Sequence, residues 1–478
     1  MQSGTLWRKY GEEGGNKLFE KIRKFIKRAF QMFNSKKIEE KADIEIAISN
    51  KMAKGIELWL KMYSNESPWL DEKTTSMGLA ASVSSELARL TTLELKSSIT
   101  GCDYLNDEYL VFLKNLRDYC EYACAGGGIV FKPYIEGKHI VVEAVMADDF
   151  YPISFNGRGK VTDAIFLEEK VEGDKLYTRL ERHICEKNGV YRIINKAYVT
   201  NSYKNDEIYD FGKEISLDSV LEWADLEPEI EISNIDKSLF GYFKIPLANS
   251  VEKKSPLGVS AFSRAVNDIK EADKQWSRIL WEFEGSELAV HASVDCFEKD
   301  DDGSWKLPKG RERLYRTMYN DAIKGKAIDI FSPSIRDTSL FNGLNNILKR
   351  IEFNCGLAYG TISDPQNVDK TAEEIKTSKQ RSYQTVSDIQ GALQSALEDL
   401  LYAMVKIGQI EGLPVTDKYD VSFSWDDSII IDKEKQLASM QLDVSSGILR
   451  PEIYIAKKYG ITEEEALKMM PSSLLDEE

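Results

Sequence analysis

The sequence predicts an α+β protein built from more than one domain, with helical regions on either side of an antiparallel β region. Three observations support this class. Apolar residues recur at helical spacing from residue 38 to 125 and again in long stretches after residue 255. Between about 129 and 250 the period changes to the two-residue alternation of strands. The length of 478 residues corresponds to about three domains of ordinary size.

The composition is that of an ordinary globular protein, and it limits the possible partners. Apolar residues make up 42% and charged residues 30%. No run of about 18 apolar residues is present, so we expect no membrane-spanning helix. The first residues lack the basic-then-apolar order of a secretory signal, which favours a cytoplasmic protein. The net charge of −16 argues against a broad, tight grip on nucleic acid, because such a grip needs clustered Lys and Arg.

Cysteine and histidine are too few and too scattered for a disulfide-stapled or metal-bound fold. None of the six cysteines forms a CxxC pair, so we expect free, buried thiols. The three histidines have no spacing typical of metal ligands, and we expect no metal and no cofactor. These residues are Cys102, Cys120, Cys124, Cys185, Cys296, Cys355, His139, His183 and His291.

The first segment, residues 1–37, contains a basic amphipathic stretch. Residues 17–37 carry eight basic side chains and one acid, Glu20, with apolar residues at helical spacing. Such a helix can contact a membrane surface or nucleic acid. It can also pack on its own protein or on a neighbour with its basic face in water. We favour the second interpretation, and the sequence leaves both open.

Residues 38–125 are predicted to be helical, and a glycine run closes this region. Gly126–Gly128 ends the last helix, because glycine tolerates the left-handed conformation of a helix C-cap. Antiparallel hairpins follow, each marked by a turn sequence. The turns are Glu136–Gly137, Asn156–Gly157, Glu172–Asp174 and Asn188–Gly189.

Long helices dominate the rest of the chain. Ser255-Pro256 predicts a helix start, since Ser is a good N-cap and Pro suits the first helical position, and this helix runs to about Glu284. Later helices are predicted over 338–359 and 372–407, joined by a polar loop. The remaining elements are a hairpin around Asp300–Gly303, a short basic helix over Arg311–Tyr319, strands over Ala327–Phe331 and Tyr419–Trp425, and two or three C-terminal helices.

No catalytic arrangement is evident. A phosphate-binding loop is not predicted, because Gly126–Gly128 follows a helix and precedes a strand, the reverse of the order that such a loop needs. Adjacent acids could serve a metal-dependent nuclease only if they converged in space. Each set lies at a turn signal, where Asp supports local hydrogen bonds, and we therefore expect no enzyme. These acids are Asp148–Asp149, Asp300–Asp302 and Asp426–Asp427.

Several short sequences resemble those of one family in their order and spacing. They are Lys254–Phe262, Cys355–Thr361 followed by Lys370–Glu374, Trp425–Ile429 with Asp432, Ser446–Leu449 and Tyr459–Ala466. Together they resemble the portal proteins of tailed bacteriophages, the head-to-tail connectors of the capsid, of the type found in phages of Gram-positive hosts. The resemblance covers about 40–478.

The resemblance implies a portal-like protomer with an α/β wing, a long helical stem, a small mixed clip and a helical crown. The implied parts are a basic N-terminal segment (1–37), a wing that is helical and then antiparallel β (38–255), a first stem helix (256–286), a clip (287–335), a second stem helix (336–360), a tunnel loop (361–371), a long spine helix (372–407), a return to the wing (408–432) and a helical crown (433–478).

The resemblance also implies a function and its partners. A ring, usually of twelve copies, would stand at the unique capsid vertex and conduct double-stranded DNA during packaging and ejection. The implied partners are the large terminase, a head-completion or tail adaptor protein, and the major capsid and scaffold proteins, with no membrane. The implied location is the virion, with assembly in the host cytoplasm.

Three groups of residues are candidates for the work of such a ring. The stem polar face would let DNA slide without tight binding, or would be an ordinary solvated helix face; it consists of Lys270, Lys274 and Arg278. The tunnel loop would form the constriction, or a plain connection; it consists of Thr361, Ile362, Ser363, Asp364, Pro365, Gln366, Asn367, Val368, Asp369 and Lys370. The basic residues of the clip would dock the packaging motor and adaptor, or pair with a neighbouring subunit; they are Lys306, Lys309, Arg311, Arg313 and Arg316.

Two other functions remain as alternatives. A metal-dependent nuclease would use the Asp clusters, and a membrane-peripheral assembly protein would use residues 17–37.

Overall fold

The computed structural model describes residues 38, 39, 41, 46–200, 211–253, 255–299, 314–318, 328–364, 372–425, 433–459 and 462–469. The basic stretch predicted at 17–37 and the hairpin predicted around Asp300–Gly303 lie outside these residues. All six cysteines are free thiols, as predicted, but only four are buried, since Cys185 is half-buried and Cys296 is exposed. In the described part of the chain, no helix combines the length and the apolar character needed to cross a bilayer.

The first region is helical, as predicted, but it also contains a strand that was not predicted. Helix α3 ends at Leu113, and α4 ends at Gly126 with Gly127 as its cap at φ 93°. The cap conformation is the left-handed one expected of this glycine run. The elements are α1 (Asn50–Tyr63), α2 (Leu79–Thr92), β1 (Leu95–Thr100), α3 (Asp103–Leu113) and α4 (Leu116–Gly126).

The predicted hairpins form two antiparallel sheets. One sheet has the order β10-β2-β3, and the other has the order β4-β5-β6-β7-β8, with β9 also paired to β7. Gly137, Gly173 and Gly189 adopt positive φ at three of the predicted turns. The strands are β2 (Gly128–Glu136), β3 (His139–Met146), β4 (Phe150–Phe155), β5 (Val161–Glu172), β6 (Lys175–Cys185), β7 (Val190–Thr200), β8 (Lys213–Ile215), β9 (Glu229–Ser233) and β10 (Gly241–Lys244).

The second half holds the long helices and a small sheet. A separate two-stranded sheet joins the two halves of the chain, because β14 pairs antiparallel with β1. The elements are α5 (Val266–Gly285), β11 (Ala289–Ser293), β12 (Tyr315–Met318), β13 (Ile328–Phe331), α6 (Asp337–Cys355), α7 (Ala372–Ile410), β14 (Asp420–Trp425), α8 (Lys433–Ser445), α9 (Pro451–Tyr459) and α10 (Glu463–Met469).

Helix α5 begins ten residues later than predicted. Residues 255–262 are not helical, and a single 3₁₀ turn at Ser263–Ala265 precedes Val266. The amide of Ala261 instead donates to the carbonyl of Cys124 at 2.8 Å, and Val259 and Phe262 are fully buried. A Cβ on Gly258 would lie 1.9 Å from the Gly127 carbonyl oxygen. This packing against the α4–β2 junction outweighs the local preference of Ser255-Pro256 for a helix start.

Two further predicted boundaries need correction. Helix α6 ends at Cys355 rather than at 359, because Gly356 takes the left-handed conformation at φ 73°. Residues 315–318 of the predicted basic helix Arg311–Tyr319 form strand β12, which pairs parallel with β11. Backbone pairing with a distant strand is a tertiary contact that helical propensity does not report.

The main core joins the first helices, the β2 sheet and the three long helices. Helix α7 has 39 residues, about 58 Å in length, and it lies against β2 and β10. A Cβ on Gly241 of β10 would lie 2.3 Å from the Ala396 carbonyl oxygen, so glycine permits this close approach. The buried apolar residues of this main core include Trp59, Leu87, Tyr109, Phe131, Phe243, Phe262, Ile351, Leu393 and Leu397.

A buried ionic network ties the two sheets together. Lys132 of β2 donates to Glu181 of β6 at 2.8 Å, and the Glu181 carboxylate also forms an ion pair with Arg179 at 3.0 Å. His183 lies 2.6 Å from the same carboxylate. Burial opposes the charge on Glu181, but Lys132, His183 and Arg179 outweigh it and hold its pKa well below the usual value.

Candidate functional site

The two helices that flank the small sheet, α5 and α6, pack antiparallel. Near the start of α5, Asp268 accepts from Asn354 at 2.7 Å and lies 3.2 Å from Arg350. At the other end, Arg336 binds both carboxylate oxygens of Glu282 at 3.0 and 2.8 Å. This bidentate hydrogen bond lowers the pKa of Glu282. Polar contacts at both ends therefore fix the register of the pair.

A loop from the first region fastens the inner half of α5. Asp273, which is almost fully buried, accepts from the Trp69 indole at 2.9 Å and from the Met77 amide at 2.8 Å. Burial raises the pKa of Asp273, and the two hydrogen bonds oppose that rise. The Thr75 amide adds a bond to the Ser277 hydroxyl at 2.8 Å.

The structure brings the predicted polar face of α5 together on one side of the helix. Lys270, Lys274 and Arg278 follow one another at four-residue spacing. Lys270 lies 5.9 Å from the centre of the Trp69 ring, and Lys274 pairs with Glu271 at 2.9 Å. The hydrogen bond from Lys274 lowers the pKa of Glu271, so that acid stays charged. The face therefore carries three cations, of which one is neutralised locally.

The outer ends of α5 and α6, with the small sheet between them, form an arm that exposes apolar surface. Helix α5 has no buried residue after Ile279, and α6 has none before Leu344. Trp281 is 67% exposed. Phe283 and Phe341 contact each other with ring centres 6.2 Å apart, yet both stay exposed. The exposed apolar residues of this arm are Leu280, Trp281, Phe283, Leu288, Ile328, Ile330, Ile335 and Phe341.

The basic cluster predicted for the clip is described only at one position. Arg316 lies on β12, where its backbone pairs with His291 of β11. Lys306, Lys309, Arg311 and Arg313 lie outside the described residues, so their place relative to Arg316 stays a prediction.

The predicted tunnel loop divides into a part packed on α6 and a part outside the described residues. The Glu352 carboxylate accepts from the amides of Ile362 and Ser363 at 2.7 and 2.9 Å. Thr361 donates to the Ala358 carbonyl at 2.5 Å. Ser363 is buried, which contradicts the expectation that the whole loop protrudes. The side chain of Asp364 is exposed, and Pro365, Gln366, Asn367, Val368, Asp369 and Lys370 are outside the described residues.

Sequence reasoning missed the residues that hold this loop. Asn345 accepts from the Asp364 amide at 2.8 Å, and the guanidinium of Arg381 lies 4.6 and 4.9 Å from the rings of Phe353 and Tyr359. A signal for Glu352 was present, because it interrupts the apolar stripe of α6 beside Ile351. A charged residue on a buried helical face needs a polar partner.

The acid pair that the structure describes does not resemble a nuclease centre. Asp148 and Asp149 form the turn between β3 and β4, and Asp148 is buried. Among the described residues, no three or more His, Cys, Asp or Glu side chains converge as metal ligands. Asp300–Asp302 and Asp426–Asp427 lie outside the described part.

Comparison with known proteins gives one family and several similar structures. The family model described as "Phage portal protein, SPP1 Gp6-like" matches residues 111–471. No curated protein matches the chain.

Three solved structures come from gene transfer agent (GTA) particles, each 10% identical to this chain. The matching chain in the virion of the native particle has a TM-score of 0.46, and the alignment covers 85% of this chain and 94% of the matching chain. The native neck computed with C12 symmetry has a TM-score of 0.42, covering 84% and 92%. The empty neck computed with C6 symmetry has a TM-score of 0.45, covering 89% and 98%.

Proposed function

The chain belongs to the SPP1 Gp6-like family of phage portal proteins, and from this membership we propose how its parts carry out the work of a portal. Portal proteins are structural connectors of the virion and not enzymes. They form a homo-oligomeric ring at the unique capsid vertex, and the hole of the ring is the channel for DNA packaging and ejection.

We assign the wing to the helices α1–α4, the two large sheets and the β1–β14 pair. The pairing of β14 with β1 supports the assignment of residues 408–432 to the wing, because it brings that segment back to the first region. Helices α5 and α6 are the stem, the β12-β11-β13 sheet belongs to the clip, α7 is the spine and α8–α10 are the crown. Twelve copies are the expected number.

The observation that carries this proposal is the exposed apolar arm. Contiguous apolar surface on a soluble protein indicates a surface that is covered in its working state. The arm exposes such residues on both helices and on β13. A head-to-tail ring covers two different faces of each subunit and closes without a free end.

The charged residues of the stem suit a channel through which DNA must move without tight binding. Each phosphate that a protein neutralises adds salt-dependent affinity and therefore friction. The α5 face offers Lys270, Lys274 and Arg278, and Glu271 neutralises one of them. The whole chain is acidic, with a net charge of −16. We infer that DNA passes this face with few and weak contacts.

The partners follow from the two ends of the ring. The basic residues of the clip, Arg316 among them, would dock the large terminase during packaging and the adaptor protein afterwards. The crown would face the capsid interior, and the wing would meet the major capsid and scaffold proteins. Assembly would take place in the host cytoplasm.

Measuring the particle mass of the purified protein tests this proposal. Twelve chains of 54.3 kDa give a ring of about 650 kDa. Trp281→Ser removes the most exposed aromatic of the arm, and we expect it to lower the ring fraction at least tenfold. The control is Leu221→Ser, because Leu221 is 86% exposed but lies on the wing. A monomer in the wild type contradicts the ring, and full assembly of Trp281→Ser contradicts the arm as its contact.

A further inference from the structure

Glu352 is a fully buried carboxylate that accepts three hydrogen bonds from one short segment. Its Oε1 accepts from the amides of Ile362 and Ser363, and its Oε2 accepts from the Ser363 hydroxyl at 2.8 Å. Among the described residues, no Lys or Arg forms an ion pair with it. These donors therefore satisfy the carboxylate oxygens in place of a cation.

Asn345, two turns before Glu352 on the same face of α6, extends this contact. Its side-chain oxygen accepts from the Asp364 amide at 2.8 Å. The Gly360 amide donates to the Ser363 hydroxyl at 3.2 Å, which closes the segment on itself. Three successive amides, from Ile362 to Asp364, thus end on side chains of one helix.

The beginning of the same segment is fixed against the spine helix. A Cβ on Gly356 would lie 2.3 Å from the Thr385 hydroxyl of α7, so the Gly356 backbone packs directly against the Thr385 side chain. The Arg381 guanidinium of α7 contacts the ring of Tyr359 on the segment and that of Phe353 on α6. Residues 356–364 are therefore held by both long helices.

A buried carboxylate at position 352 costs more free energy than a purely structural role requires. Burying a carboxylate without a cation carries a large desolvation cost, and an apolar side chain would fill the same space more cheaply. A carboxylate adds direction, because only two oxygens in fixed positions satisfy these three donors at once. It sets the path of the backbone as it leaves α6.

We propose that Glu352, assisted by Asn345, is the positioning residue that sets the tunnel loop in the channel. It holds Thr361–Ser363 against α6 and orients the chain at Asp364. The proposal rests on the portal function above. The proposal therefore changes the sequence prediction, because the first three residues of the ten-residue tunnel loop are fixed to α6.

Hydrogen exchange in assembled rings tests the anchor directly. In Glu352→Ala we expect the amides of Ile362 and Ser363 to exchange about tenfold faster or more, because their acceptor is gone. Glu352→Gln keeps one acceptor oxygen for both amides and should exchange near the wild-type rate. Glu284→Ala, which removes an exposed acid of the stem, is the control. Unchanged exchange in Glu352→Ala overturns the anchor.

The number of DNA-filled heads per assembled ring distinguishes a positioning role of Glu352 from a role in stability alone. In phage lacking their own portal gene and supplied with each variant, we expect Glu352→Ala to lower the number of DNA-filled heads about tenfold at normal ring yield. Glu352→Gln should restore it. Equal packaging in Glu352→Ala overturns the positioning role, whereas failure of the wild type to form rings or package would refute the portal function itself.

Should Glu352→Ala form no rings, Ser363→Ala decides the question. It removes the hydroxyl contact to Oε2 and the acceptor of the Gly360 amide, and it leaves both amide bonds to Glu352 in place. We expect faster exchange at Ser363 and a smaller loss of packaging. Wild-type behaviour in both measurements overturns the proposal.

Discussion

At the scale of single residues, the wing contains a buried acid whose charge is opposed by its surroundings. The Oδ1 atom of Asp148 is buried and has no hydrogen-bond partner among the described residues. Burial raises the pKa of Asp148 from 3.8 to about 6. The folded protein therefore binds the proton more tightly than the unfolded chain does. The stability linked to this group is fully present below pH 3.8 and is lost as the pH rises through 6.

We predict that Asp148→Asn stabilises the protein at neutral pH, because it removes the charge that burial opposes. Its gain in unfolding free energy over the wild type should grow by on the order of 2 kcal/mol between about pH 4 and pH 7.5. Urea denaturation across this range measures it. Asp71→Asn is the control of opposite sign, since hydrogen bonds from the Lys73 amide and from Thr74 lower the pKa of Asp71. A gain for Asp148→Asn that does not vary with pH contradicts the account.

The Lys132–Glu181 pair differs from Asp148, because each of its buried charges has a partner of opposite sign. We predict that Lys132→Met lowers the unfolding free energy by about 3 kcal/mol, since Glu181 loses its principal cation in a buried site. Lys170→Met is the control, because its partners Glu172 and Glu222 are exposed, and we expect no resolvable change. Denaturation at neutral pH measures both. Equal stabilities of the two variants would show that the network contributes little.

At the scale of elements, the sequence predicts the local features well. The hairpin turns follow from Asn-Gly and Glu-Gly sequences, whose glycines adopt positive φ at Gly137, Gly173 and Gly189. The shared face of Lys270, Lys274 and Arg278 follows from helical spacing alone. These features depend on neighbours in the chain, so a single sequence contains the information for them.

The elements that the sequence misses depend on distant contacts. Strand β1 pairs with β14, more than 300 residues later, and its two-residue alternation is short. Helix α5 begins at Val266 because residues 257–262 pack against the α4–β2 junction. The anchor at Glu352 is missed for a different reason, because its partners are only ten and eleven residues later but belong to the loop and not to the helix.

The end of α6 offers a matched pair of glycines for an element-scale prediction. Gly356→Ala should destabilise the protein by about 1–3 kcal/mol, because the position has positive φ and a Cβ would collide with Thr385. Gly343→Ala, inside the same helix, should instead stabilise by about 0.5–1 kcal/mol, because its Cβ would meet only Gln275 Nε2, at 3.8 Å. Thermal or chemical unfolding measures both. The same sign for the two variants would contradict the assignment of Gly356 as a required helix cap.

At the scale of the whole molecule, the described residues bury one main core, whereas the arm formed by the outer ends of α5 and α6 keeps apolar side chains exposed. The inner halves of α5 and α6 are buried against the wing and α7, whereas the outer halves expose Trp281, Phe283 and Phe341. A ring resolves this difference, because each arm then lies between two neighbours. We expect the same placement to turn the polar face of α5 and the anchored loop toward the ring axis.

Electron-microscopic reconstruction of the purified protein tests this placement most directly. We predict a closed ring of about twelve subunits with a central hole. In this ring Lys270, Lys274 and Arg278 should face the hole, and Trp281 should lie in the contact between neighbours. A reconstruction with no closed ring, or a ring in which the α5–α6 arms point away from the axis and touch no neighbour, would contradict the account.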